Sequence, residues 1–132
     1  MNVIVDTSVW SLALRRLNSD LSPPAKKLTQ LIQEGEPIFL LGIILQELLC
    51  GLKSPKDFQR LLDSMMAFPL IEPTRENYVE AAQLKNQCAA KGIQAGTIDF
   101  LIAAICIEYG CLLLTTDGDF RAIARHSALK LL

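Results

Sequence analysis

What most constrains this chain is an alternation of short apolar runs with segments of helical periodicity. Asn2–Val5, Ile38–Leu41, Phe68–Ile71 and Cys111–Thr115 are brief and uncharged. Between them, apolar residues recur at helical spacing. Phe58, Leu61, Leu62, Met65 and Met66, for example, fall at i, i+3, i+4, i+7 and i+8, which is one face of a helix. Strands without polar alternation are covered on both faces. In a chain that alternates strand and helix, that means a parallel sheet between two helical layers. The sequence therefore predicts a three-layer α/β/α architecture with a central, mainly parallel sheet of four to five short strands, the last of them Ala128–Leu132.

Capping residues punctuate the pattern. Asp6-Thr7-Ser8 ends the first run and opens a short helix through Val9, Trp10, Leu12, Ala13 and Leu14, finishing near Arg15-Arg16. Asn18–Pro24 reads as a loop, with Pro23 and Pro24 in the first turn of a helix that Gly35 stops. A helix over Ile43–Gly51 follows the second run, and Ser54-Pro55 opens the next. Thr74 caps a helix that continues to Gly92; Thr97 starts another, Ile98–Tyr109, ended by Gly110. Phe120, Ile123 and Ala124 mark one more. No linker, repeat or low-complexity stretch interrupts the series, so residues 1–132 read as one domain.

Composition removes several function classes. Apolar residues make up 51% of the chain and charged residues 20%, which excludes a disordered protein. Thirteen basic residues against fourteen acidic ones give a net charge of −1, so any polyanion must be met by a local patch. The longest mostly apolar stretches, Ile38–Leu45 and Phe100–Ile107, fall short of the roughly 18–20 residues that span a bilayer. Asp6 sits where a secretory signal needs its apolar stretch. The expectation is a soluble, cytoplasmic protein with no membrane partner. Cys50, Cys88, Cys106 and Cys111 form no Cys-x2-Cys pair and His126 is the only histidine. A zinc site is therefore rejected, and most of the cysteines read as small buried thiols.

Ligands of such a sheet bind beyond the carboxyl ends of its strands. Asp6 follows the first run, Asp117 and Asp119 follow the fourth, and Glu47 and Asp99 interrupt apolar helical segments. Most of these acids have an ordinary use. Asp6 can cap a helix, Asp99 can complement a helix dipole, and Asp117 and Asp119 can shape a turn around Gly118. Glu47 is harder to explain, because its helix is apolar nearly all round and a buried, unpaired carboxylate is costly. Jointly, acids from separate parts of the chain are expected at one end of the sheet. Their repulsion raises their pKa values, and a divalent cation removes that cost. With no His or Cys in the set, oxygen ligands favour Mg²⁺ or Mn²⁺ over zinc. A water on such an ion can be aimed at a phosphodiester.

The run Val5-Asp6-Thr7-Ser8, Glu47 in its Leu-rich helix, Asp99 ahead of Leu101-Ile102-Ala103-Ala104, and the run Leu113 to Phe120 (Leu-Leu-Thr-Thr-Asp-Gly-Asp-Phe) together resemble the PIN-domain ribonucleases. The likeness is greatest to the VapC toxins of bacterial toxin–antitoxin pairs, and it covers essentially the whole chain. The resemblance implies a Mg²⁺-dependent endoribonuclease. Asp6 and Asp99 match the acids that hold the metal most directly, Glu47 the third acid, acting through water, and Asp117 the fourth. Asp119 precedes the aromatic residue and is able to share that last role. Thr7 and Ser8 match the hydroxyl residues beside the first acid, and Thr116 is a similar candidate beside the fourth; simple capping is their ordinary alternative. The resemblance also implies RNA products with 5′-phosphate and 3′-hydroxyl ends, a homodimer, and a VapB-like antitoxin whose tail covers the active-site groove.

An acidic pocket repels RNA, so basic residues must frame it. The candidates are Arg15-Arg16, Lys26-Lys27, Lys53 with Lys56 and Arg60, and Arg121 with Arg125, the last two at i, i+4 just past the final acids. A mean hydropathy of +0.31 makes Trp10, Leu12, Leu14, Phe58, Met65 and Met66 candidates for an interface as well as for the core. Other acid-dependent classes fit less well. Phosphatases of the haloacid-dehalogenase kind need an acid where Ser8 stands, and receiver domains need a lysine after the last strand. The remaining alternative is a PIN-like module that binds RNA or protein without cleaving, which four intact acidic positions do not favour.

Overall fold

The structure, a computed structural model, describes residues 1–15 and 22–132. The basic pair Arg15-Arg16 and the opening of the Asn18–Pro24 loop fall at or within the segment outside the described side chains. Strand β1 (Val3–Val5) is flanked by β2 (Ile38–Leu41) and β4 (Leu112–Leu114), and β3 (Leu70–Ile71) lies outside β2. All three pairings are parallel: Val3 opposes Ile38 and Leu112, Val5 opposes Leu114, and Leu41 opposes Ile71. Successive strand side chains point to opposite faces, and Val3, Ile4 and Val5 are all fully buried. Both faces of the central strand are therefore covered, as the uninterrupted apolar runs require.

Seven helices among the described residues supply the cover. One group comprises α1 (Thr7–Arg15) packed on α2 (Pro23–Gln33) and α3 (Gly42–Leu49), with α4 (Pro55–Met65) against α3. The other comprises α5 (Arg75–Ala89), α6 (Thr97–Tyr109) and α7 (Gly118–Arg125), with α6 between its neighbours. The sequence-encoded caps are in place. Ser22 accepts the Ala25 N–H and Ser54 the Asp57 N–H, each ahead of proline in the first turn. Gly110 takes the left-handed conformation at φ 64°, which lets the chain reverse from α6 directly into β4.

The order of the strands positions the site. From β1 the chain moves through α1 and α2 to β2, then outward to β3, and only then crosses back to β4 on the other side of β1. The connections thus leave β1 in opposite directions, and the carboxyl ends of β1 and β4 flank the crevice where parallel sheets bind ligands.

One expected strand needs correction, and the open question of which apolar side chains are buried is decided. Ala128–Leu132 is not a fifth strand. It makes one parallel bridge, Leu131 to Leu113, through the Lys130 carbonyl and the Leu132 N–H, and the ladder goes no further because the Cys111 N–H that would extend it donates to the Cys106 carbonyl at the end of α6. Helix α4 buries only Met65; Phe58 is 38% exposed and Met66 76% exposed. Trp10, by contrast, is buried and meets Phe68 edge-to-face with ring centroids 5.0 Å apart. Cys88, Cys106 and Cys111 are buried thiols, whereas Cys50, just past α3, is exposed.

One buried polar residue joins two helices. Asn77 is fully buried on α5. Its side-chain oxygen accepts the Thr74 N–H at 2.8 Å, its own N–H donates to the Thr74 hydroxyl, and its amide nitrogen donates to Glu108 of α6. Replacing it with Ala removes the cap of the Thr74 N–H and the link to Glu108 together, and leaves a gap at a fully buried position. Asn77→Ala should lower the unfolding free energy by about 2 kcal/mol in urea titrations, with Thr74→Ala costing roughly half as much.

Candidate functional site

The crevice is closed at its base by backbone pairing: the Asp6 N–H donates to the Leu114 carbonyl at 2.9 Å. Asp6 is 8% exposed. Its carbonyl accepts the first N–H groups of α1, from Val9 and Trp10. Its carboxylate is engaged elsewhere: Oδ2 accepts from the Ser8 hydroxyl and the Thr115 hydroxyl, each at 2.9 Å. The Ser8 oxygen in turn accepts the Thr116 N–H at 3.1 Å, and the Thr115 oxygen accepts the Asp117 N–H at 3.0 Å. The end of β1 and the loop after β4 are laced together through one carboxylate and two hydroxyls.

Asp117 caps α7, its Oδ1 accepting the Asp119 N–H at 2.9 Å. Asp99, in the first turn of α6, accepts the Gly96 N–H at 3.1 Å. The ordinary capping uses are therefore present. They coexist with a second arrangement, in which one carboxylate oxygen from each of Asp99, Asp117 and Asp119 lies within 4.8 Å of the others. Burial raises the Asp99 pKa above the ordinary carboxylate value, and the charges of Asp117, Asp119 and Asp6 add to the rise, although the Gly96 N–H opposes it. Among the described residues the only ion pair is between the N-terminus and Glu36, so no described lysine or arginine is paired with the cluster. A hard divalent cation fits this donor set: oxygen atoms only, close together, with uncompensated negative charge. No cysteine is part of this cluster, and burial raises the Cys106 and Cys111 thiols above the ordinary thiol value.

Glu47 differs from expectation. It is exposed, because α3 turns Ile44 and Leu48 into the core and leaves Glu47 on the flank of that face. The Thr7 hydroxyl donates to it at 3.0 Å. Glu47 is thus linked to the residue next to Asp6 but lies outside the close triplet. Ser8 and Thr7 both contact acids through their hydroxyls, whereas Thr116 joins the network through its backbone. Thr115 carries the hydroxyl role beside the last acids, a residue that sequence reasoning passed over in favour of its neighbour. The signal was its place as the first residue after β4, level with Asp6 after β1. Arg121 and Arg125 are exposed on α7, beyond the acids.

The raised pKa of Asp99 has a definite sign. Its folded-state value exceeds the unfolded one, so its contribution to stability is fully present below the ordinary carboxylate pKa and is lost as pH rises through the raised value. Asp99→Asn keeps an acceptor for Gly96 and removes a repelled charge. In metal-free buffer it should melt at a higher temperature than wild type at neutral pH, and thermal scans should show the difference shrinking as pH falls below the ordinary carboxylate value.

Comparison with known proteins agrees with this geometry. A family model described as the PIN domain matches residues 3–126. The chain is 29% identical over 125 residues to ribonuclease VapC51 of Mycobacterium tuberculosis, covering 94% of this chain and 86% of that protein. Among solved structures, FitAcB from Neisseria gonorrhoeae superposes with a TM-score of 0.76 at 20% identity, covering 98% of this chain and 96% of that one. VapBC2 from Rickettsia felis, bound to a DNA fragment from its promoter, also gives 0.76 at 20% identity, covering 100% of this chain and 98% of that one. At such identities the structural matches speak for the fold.

Proposed function

The chain belongs to the PIN domain family, and on that premise we propose that residues 1–132 form a Mg²⁺-dependent endoribonuclease acting as the toxin of a VapBC-type pair. Mn²⁺ is the alternative metal. The observation that carries the reading is the convergence of Asp99, Asp117 and Asp119 oxygens within 4.8 Å, beside Asp6 and with no basic side chain among the described residues paired to them. The similarity to a protein named as a ribonuclease supports the substrate class. The fold shared with VapBC2 supports a VapB-like antitoxin partner. A homodimer, an RNA substrate and a cytoplasmic location belong to the same reading.

In this mechanism Asp99, Asp117, Asp119 and Asp6 would hold the ion, with Glu47 acting through water. When bound, it supplies the charge that lets these carboxylates ionise together and a water activated for attack on phosphorus. The remaining work belongs to the chain. Thr115 and Ser8 fix the Asp6 carboxylate in one orientation, so that its second oxygen is free to face the crevice. Thr7 holds Glu47 in place. Thr7, Ser8 and Thr116 position the substrate backbone, and Arg121, exposed beyond Asp119, meets its phosphates.

Purified wild type should cleave RNA with Mg²⁺, stop on chelation, and leave 5′-phosphate ends detectable by end-specific sequencing. Asp6→Asn and Asp99→Asn should each lower the rate by about a hundred-fold or more, the scale on which losing electrostatic stabilisation acts. Undiminished cleavage by both variants would remove the acids from the mechanism. Growth arrest on induced expression, persisting in Asp6→Asn, would point to a module that binds without cleaving.

Thr115→Val removes the hydroxyl donor to Asp6 while keeping shape. It should lower cleavage about ten-fold, the scale on which outer-sphere partners of metal ligands act, and restoring the hydroxyl with Thr115→Ser should recover much of the rate.

A further inference from the structure

A second concavity lies beside the acid cluster, on the other side of the first turn of α6. Its walls are the facing surfaces of α5 and α6, with Tyr78, Ala82 and Lys85 on one side and Thr97, Ile98 and Leu101 on the other, and its volume is about 350 Å³. That lies within the range of small-ligand sites. The floor is apolar. Tyr78 and Ile98 stand at its edge, 55% and 40% exposed, so a flat aromatic surface is open to solvent. Asn86 adds an amide to the lining.

Lys85 sets the chemistry of the mouth. Its stem is half-buried, and its ammonium donates to the Thr97 hydroxyl at 3.0 Å. Among the described residues it forms no ion pair. A cation held by a neutral hydroxyl rather than a carboxylate keeps its charge available to an incoming anion. Thr97 precedes Asp99 by two residues on the same helix, a rise of about 3 Å along the axis. Two residues are also more than half a turn around the axis, so the ammonium and the acid cluster stand on opposite sides of the first turn of α6, roughly the 10 Å width of a helix apart, near enough for adjoining parts of one chain molecule to reach both.

The geometry points to the α5–α6 cleft as a nucleotide subsite, in which an unpaired base of the RNA lies against Tyr78 and Ile98 while Lys85 takes the phosphate next to the one being cleaved. This rests on the nuclease reading above. It goes beyond it by requiring single-stranded RNA at that position, because a base within a duplex cannot turn into the cleft. A nucleotide matches the cleft in both parts: a flat apolar base for the aromatic edge and apolar floor, and an anion for the free ammonium. An apolar peptide would leave Lys85 without a counter-charge. The basic residues legible in the sequence as neighbouring pairs did not include Lys85, which acquires its place only when α5 packs on α6.

The test uses the full chain carrying Asp6→Asn, so that RNA is bound without being cut. Binding of a fluorescein-labelled short oligoadenylate is compared with that of an abasic ribose-phosphate oligomer of equal length. Tyr78→Ala should weaken oligoadenylate binding about ten-fold, within the range of one stacked base, and leave the abasic oligomer unaffected. Lys85→Gln should weaken both, and should reduce the slope of log K against log salt by about 0.7. Lys85→Arg should restore the slope, and Lys56→Gln on α4 should leave Tyr78-dependent discrimination unchanged. Melting curves confirm that each variant is folded. Equal affinity of all variants for oligoadenylate would overturn the subsite, as would a Tyr78→Ala effect that appears only as altered oligomer mass in light scattering. Cleavage by the otherwise wild-type chain with Mg²⁺ is followed in parallel. If it cleaves while Lys85→Gln and Tyr78→Ala keep its KM, the subsite fails and the nuclease reading stands. If it does not cleave, the nuclease reading fails on that measurement, and the cleft is decided by the binding data.

Discussion

The parallel pairing of β1 with β4 is the contact on which the rest of this structure depends. It places the residue after Val5 level with the residue after Leu114. The Asp6 N–H continues the ladder to the Leu114 carbonyl, and the Asp6 carboxylate then receives the Thr115 hydroxyl. Sequence separation at this point exceeds one hundred residues, yet the two segments share hydrogen bonds through Ser8 as well. Remove that register and Asp117 and Asp119 have no defined relation to Asp6. The crossover from β3 back past β1 creates the crevice, and the hydroxyl lacing sets the orientation of the groups within it.

The crevice is also where the fold works against itself. A core of fully buried residues, including Phe100 and Phe120, holds α6 and α7 in place. Each of these aromatics directly follows an acid of the cluster, Asp99 or Asp119. Packing of the aromatic fixes the backbone and so brings like charges together, at the expense of Asp99, whose carboxyl is pushed toward its neutral form. Local strain of this electrostatic kind is expected at a site organised for a ligand of opposite charge. Among the described residues Arg121 on α7 and Lys85 on α5 form no ion pair with the cluster.

Much of this was legible before the structure. The uncharged runs marked strands within a residue or two of those observed, since burial of β1, β2 and β4 leaves little room for other compositions, although Leu70 on the edge strand β3 is exposed. The caps Ser54 and Thr74 announced helix starts because their side chains satisfy otherwise unpaired N–H groups, and Pro23-Pro24 announced another because proline suits a first turn. Asp6, Asp99, Asp117 and Asp119 were recognisable because strand ends and first helical turns have fixed places in a parallel sheet. Ala128–Leu132 was misread because an apolar run cannot show that the Cys111 N–H it would need is already taken by the Cys106 carbonyl. Glu47 was misread because apolar neighbours on a short helix do not reveal which side meets the core.

Local sequence by itself determined the architecture: hydrophobic periodicity and capping chemistry act over a few residues and need no knowledge of distant ones. The close approach of Asp99, Asp117 and Asp119, the choice of Thr115 over Thr116 as the hydroxyl partner of Asp6, the outward position of Glu47, and the placement of Lys85 on Thr97 were decided only by tertiary structure. Each depends on the register of one element against another far along the chain, and on which of two adjacent side chains turns inward. A shift of one residue in a strand, or about 100° around a helix, changes the answer without changing the local pattern.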